Sequence, residues 1–199
     1  MDDFLFDDIN KLDVVGICKK IVCTDRINYI IENGTAQLTS LIPDSIGAAE
    51  YRFISGKGGF SSINFIEWVA KKETIKNLCV STLAVGKKEI KKLAELDIEK
   101  AIFIIGTIFG KRGLAESYNY YDVFRETCED KNWDIIETNN HSKIILMQTK
   151  NHYYVLETSS NLNENPKMEQ FCFCDNKELY DFYNQFFIKL KEVINAKRR

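Results

Sequence analysis

The stretch that decides the fold reads His141-Ser142-Lys143-Ile144-Ile145-Leu146-Met147-Gln148-Thr149-Lys150-Asn151-His152-Tyr153-Tyr154-Val155-Leu156-Glu157-Thr158-Ser159-Ser160-Asn161. Two apolar runs flank Lys150-Asn151, a polar pair suited to a tight turn, so the pattern predicts a hairpin with strands over Lys143–Gln148 and His152–Glu157. A two-residue turn places Thr149 opposite His152. Facing residues then have numbers that sum to 301, which sets His141 against Ser160 and Lys143 against Thr158. Side chains two apart on a strand share a face. An imidazole, an ammonium and two hydroxyls therefore gather at the open end of the hairpin, with the Asn161 carboxamide just beyond and Glu169 at the start of the next strand. Such a set offers a nucleophile together with donors for the charged oxygens of a phosphate.

Outward from the hairpin the chain alternates. Ser61 and Ser62 can cap a helix with apolar Ile63, Phe65, Ile66, Val69 and Ala70, and Asn77–Ala84 reads as a buried strand. Lys87–Leu96 has the charged and apolar faces of an amphipathic helix, and Ala101–Ile108 is an apolar strand. Leu114–Lys131 reads as a helix, Trp133–Glu137 and Phe171–Cys174 as strands, and Leu179–Ile194 as a closing helix rich in Tyr and Phe. This order predicts an α/β domain over residues 56–199, a mixed β-sheet flanked by helices with an antiparallel portion. Residues 1–55, with apolar runs at Val14–Val22 and Arg26–Ile31 and a turn signal at Asn33-Gly34, are expected to form a small N-terminal appendage of strands and a helix.

Composition narrows the function. The 199 residues, 45% of them hydrophobic, suffice for one packed domain. With 27 basic against 29 acidic residues the net charge is −2, which denies the molecule a general grip on polyanions, so any nucleic-acid site must be local. The acidic start Met1-Asp2-Asp3-Phe4 lacks a basic leader and no apolar run is long enough for a membrane span, so a cytoplasmic location without membrane contact is expected. The six cysteines are expected to be reduced. Cys172 and Cys174 share a strand face, but no Cys or His pairing completes a four-ligand set, and neither metal nor other cofactor is expected.

The run from His141 to Glu169 resembles the phospholipase D superfamily, whose signature is His-x-Lys, four residues and Asp, then about six residues and Gly-Ser-x-Asn. His141 and Lys143 match, Thr158-Ser159-Ser160-Asn161 stands where Gly-Ser-x-Asn belongs, and Glu169 resembles the acidic residue that often follows. The wording of Ser160–Pro166 leading into Glu169-Gln170-Phe171 looks most like small single-motif members met in phage and mobile-element contexts. Gln148 occupies the Asp position, Thr158 the first Gly, and the spacer between them is a few residues longer than usual. Gln can keep the hydrogen bonding of Asp while losing its charge.

The resemblance implies a metal-independent phosphodiesterase, a nuclease rather than a lipase, that works through a phosphohistidine. His141 would attack phosphorus, Lys143 and Asn161 would hold the equatorial oxygens, Ser159 would position, and Glu169 would stand as the trailing acid. A second histidine must protonate the leaving oxygen. His152 lies about eight residue pairs from His141, roughly 26 Å along the hairpin, so the acid is expected to be His141 of a second copy in a homodimer. The alternative is a phospholipase D-like module of phage origin that binds nucleic acid or protein with little or no turnover.

Two further runs stand apart. Gly86–Arg112 carries seven basic against four acidic residues, a net +3, and could touch a polymer. Gly56-Lys57-Gly58-Gly59 lacks the remaining residues of a nucleotide-binding P-loop and is expected to be a flexible turn near the site mouth.

Overall fold

A computed structural model of the chain describes residues 16–23, 26–32, 38–56, 61–106, 115–163 and 167–197. The strands are β1 (Gly16–Cys23), β2 (Arg26–Glu32), β3 (Glu50–Ser55), β4 (Asn77–Thr82), β5 (Ala101–Gly106), β6 (Asp134–Thr138), β7 (Ile144–Gln148), β8 (Tyr153–Thr158) and β9 (Glu169–Asp175). The helices are α1 (Leu38–Leu41), α2 (Ser62–Ala70), α3 (Lys87–Glu95), α4 (Ala115–Asp130) and α5 (Lys177–Lys197). All nine strands belong to one mixed sheet in the order β1-β2-β3-β9-β8-β7-β4-β5-β6. The expected α/β architecture is present. Residues 16–55 contribute three strands to this sheet, with β3 hydrogen-bonded antiparallel to β9. The turn signal at Asn33-Gly34 and residues 57–59 of the glycine run lie outside the described residues.

The hairpin forms in the predicted register, from Ile144 opposite Glu157 to Gln148 opposite Tyr153, and Thr149 N–H closes the turn on the His152 carbonyl at 3.0 Å. The turn is short enough to leave one pairing, which is why the sum of 301 could be read before folding. Its flanks are less local. β7 pairs antiparallel with β4 and β8 pairs antiparallel with β9, so the open end of the hairpin is held between strands distant in sequence.

The two sheet faces bury different sets. On one face, Phe65 of α2 lies 5.3 Å from Phe171 and 5.2 Å from Phe173 by ring centroid, and Trp68 meets Phe173 edge-on at 5.6 Å. The opposite face, with Leu146, Val155, Ile104 and Cys174, is covered by Tyr180 and Phe187 of α5. Burying a side chain of this size contributes about 1.5–3 kcal/mol, so α2 and α5 clamp the central strands from both sides. The described thiols Cys79, Cys128, Cys172 and Cys174 are free and buried within these layers. Burial pushes each of them up to about 12. No described helix is long and apolar enough to cross a membrane.

Candidate phosphate-binding rim

One end of the sheet gathers the C-termini of β3, β4 and β8 and the N-termini of β7 and β9. Alternation fixes which side chains look toward the α2 face there. Ile145 and Met147 belong to the core on that face, so Lys143 and His141 continue the same row beyond the start of β7. The same count puts Glu169 in line with Phe171 and Phe173, and Ser55 in line with Phe53. α2 begins above this row, where the Ser62 hydroxyl donates to the Ser160 carbonyl at 3.4 Å.

His141 is exposed and Lys143 is half-buried. The Lys143 ammonium donates to the His141 carbonyl at 2.9 Å and lies 3.3 Å from its Nδ1. An ammonium can only donate, so in this arrangement Nδ1 accepts and the imidazole proton sits on Nε2. Burial pulls the Lys143 pKa below its ordinary value, and the nearby Glu169 charge partly restores it. Glu169 in turn accepts a short hydrogen bond from the Ser159 hydroxyl, which itself accepts from Gln170 N–H at 2.9 Å. Ser159 is thus tied to backbone and carboxylate.

Asn161 is fixed by β4. Its side-chain oxygen accepts from Leu83 N–H at 3.3 Å and from the Thr82 hydroxyl at 3.5 Å. A backbone N–H cannot accept, so the contacting atom must be the amide oxygen, and the NH2 is the end left for a ligand. The segment is anchored further where Leu162 N–H donates to the Ala84 carbonyl and Gly86 N–H to the Leu162 carbonyl.

Thr158 stands opposite Lys143 in the expected register, its N–H donating to the Lys143 carbonyl at 3.2 Å, while the hydroxyls of Thr158 and Ser160 are engaged by backbone. The Thr158 hydroxyl donates to the Gln170 carbonyl at 2.8 Å and accepts from Ser160 N–H at 2.9 Å, while the buried Ser160 hydroxyl donates to the Asn161 carbonyl at 3.0 Å. Both hydroxyls satisfy backbone groups at a strand end, where the ladder runs out of partners.

Sequence reading missed Asn140, the residue that precedes His141. The buried Asn140 NH2 donates to the Ser81 hydroxyl and to the carbonyls of Thr82 and Ile104, and its oxygen accepts from Ser142 N–H at 3.0 Å. The Ser142 hydroxyl meets that of Ser81 at 2.6 Å. Asn140 therefore laces the entry to β7 onto β4 and β5 and fixes where His141 starts. The available signal was the polar pair Ser81-Thr82 ending the apolar strand β4.

Gln148 and His152 lie at the other end of the hairpin. The Gln148 oxygen accepts from Asn77 at 2.7 Å. His152 Nδ1 is 2.5 Å from the Asp175 carboxylate, Nε2 is 3.6 Å from Glu73, and the ring stacks on Tyr154. Neither approaches His141. Among the described residues no group of three His, Cys, Asp or Glu side chains is placed to hold a metal ion.

No family model and no curated protein sequence matches the chain. Among solved structures, polyphosphate kinase from Porphyromonas gingivalis superposes with a TM-score of 0.55 at 12% identity, covering 80% of this chain and 29% of that one. Yeast tyrosyl-DNA phosphodiesterase gives 0.38 at 15% identity, over 55% of this chain and 28% of that one. Nuc from Salmonella typhimurium, a phospholipase D family member, gives 0.47 at 10% identity, over 72% and 94%. The chain spans less than a third of the first two proteins. At these identities the likeness is one of fold, and the polyphosphate kinase superposition carries it. Over 80% of its length the chain shares the fold of that polyphosphate kinase structure, a mixed sheet between helices, with His141, Lys143 and Asn161 at one end of the sheet.

Proposed function

We propose that the protein is a phosphodiesterase, a nuclease acting through a covalent phosphohistidine in a site completed by a second copy of the chain. The observation that carries this reading is the convergence of an exposed imidazole, an ammonium beside it, and an amide whose oxygen is already occupied, on one open rim. Entry of a phosphodiester draws Lys143 from Nδ1 to a phosphate oxygen, and the imidazole proton moves to Nδ1. His141 Nε2 then forms the bond to phosphorus as the bond to the leaving oxygen breaks. Lys143 and the Asn161 NH2 hold the equatorial oxygens, whose charge grows in the transition state.

The leaving oxygen needs a proton. The sequence contains two histidines, and His152 is held at the far end of the hairpin by Asp175. The donor is therefore His141 of a second copy, as protonated imidazole. In the next step that imidazole, now neutral, takes a proton from water; the water oxygen bonds to phosphorus, the P–N bond breaks, and a phosphomonoester leaves.

The test compares wild type with His141→Ala on a small activated phosphodiester and on single-stranded DNA, in chelator, with acid-labile and base-stable phosphoenzyme sought after rapid quench. Cleavage by wild type alone, with phosphate trapped on His141, is expected. Equal cleavage by both proteins would end this reading. A binding module without turnover is favoured by Gln148, which stands at the signature Asp position and is bonded to Asn77; product-free DNA binding by wild type would select it.

A further inference from the structure

We infer that the solvent face of α3 is a docking surface for a nucleic-acid strand, with Lys87, Lys88 and Lys91 contacting successive phosphates beside the reactive rim. The inference rests on the proposed function, since it extends the substrate beyond the diester that reacts. The helix starts next to the site: Gly86 N–H donates at 2.8 Å to the carbonyl of Leu162, the residue after Asn161. Lys87 and Lys88 occupy the first turn and Lys91 the second, and all three are exposed. At 1.5 Å per residue, Lys91 lies about 7.5 Å along the axis from Gly86.

The sequence alone dilutes this patch, because Glu89 sits among the lysines. The fold removes that acid from the surface. Glu89 is only 2% exposed, and its carboxylate turns back against Gly86 so closely that a Cβ there would lie 2.1 Å from Oε2. Glycine at 86 is what allows the carboxylate to fold inward. Lys92 leans to α2, where it pairs with Glu67 at 3.4 Å, and the exposed acid of the helix, Glu95, lies a turn further from the rim. The exposed charged side chains of the first two turns are Lys87, Lys88 and Lys91, and among the described residues Lys91 pairs with no acid.

The inward Glu89 carboxylate sits at the N-terminus of α3, where an anion complements the macrodipole, and this turn of the side chain leaves the outer face of the helix to the lysines. The spacing of the lysines along one face suits a linear chain of charges rather than a single ion.

The test measures binding of a 20-nucleotide single strand by a His141→Ala protein, which reads the surface whether or not the rim turns over. Changing Lys87 and Lys91 to Ala together should lower the magnitude of the log K against log salt slope by about 1.4 and weaken binding about fivefold per contact near 0.1 M salt. Charge reversal with Lys91→Glu should weaken binding further, and Lys91→Arg should restore it. An unchanged slope in folded variants overturns the inference. So does binding of inorganic polyphosphate through these lysines without binding of the oligonucleotide. If the slope falls as expected while a small diester is not cleaved by wild type, the docking surface stands and the catalytic reading fails.

Discussion

The two ends of the β7–β8 hairpin each carry a histidine, and the two rings are held in opposite ways. At the turn, His152 Nδ1 meets the Asp175 carboxylate, which can only accept, so that nitrogen must carry a proton; Glu73 and the Tyr154 ring complete the enclosure. At the open end, His141 Nδ1 meets an ammonium, which can only donate, and the residue is exposed. The same side chain is a structural fastener in one setting and, in the mechanism proposed above, the reactive group in the other. Identity of the residue says little; the charge of its neighbour decides.

The largest test of this contrast is a pair of alanine variants. His141→Ala is expected to lower cleavage by about 10⁴-fold or more, with unfolding free energy within about 0.5 kcal/mol of wild type. His152→Ala should keep cleavage and lose about 1.5 kcal/mol of stability, the scale of a hydrogen bond to a charged group. Denaturant titration and a discontinuous cleavage assay read both. The reverse assignment of effects would break the comparison.

Next comes Asn161→Ala, expected to lower kcat by about 10²-fold, as loss of an oxyanion donor does, with little change in melting temperature. Asn140→Ala should also reduce cleavage, and differs by costing about 2 kcal/mol, because it leaves buried Ser81 and backbone carbonyls without their donor.

A pH profile sharpens the contrast further. Burial holds the Lys143 pKa below its ordinary 10.5, and Glu169 partly restores it. The alkaline limb of kcat/KM should therefore fall below the range of an unperturbed lysine, and Glu169→Gln should move it lower still. The folded chain holds the Lys143 proton less tightly than the unfolded chain. Stability should thus rise with pH between the lowered pKa and 10.5, and Lys143→Met should abolish that rise. An alkaline limb that shifts upward in Glu169→Gln would contradict the assigned neighbour. The smallest expected effect is that of Ser159→Ala, a several-fold loss of cleavage with unchanged binding of substrate.

What could be read ahead of the fold was local. A two-residue turn between apolar runs determines a register, and the register puts His141 and Lys143 on one face. The lacing of that end could not be read. Asn140 reaches Ser81 and Ile104, and Asn161 reaches Leu83, across separations in sequence that no periodicity encodes. The same holds for β3, whose place beside β9 joins residue 55 to residue 169. Glu89 looked like part of a mixed-charge surface and is buried, because its environment is set by the missing side chain at Gly86.

The buried thiols have a practical corollary. A maleimide or methanethiosulfonate reagent acts on an accessible thiolate, and Cys79, Cys128, Cys172 and Cys174 are neither accessible nor ionised near neutral pH. After replacement of Cys18 and Cys23, a single engineered cysteine beside His141 should accept a nitroxide against a silent background. Dipolar coupling between two such labels would then measure directly how far one imidazole stands from its counterpart in solution.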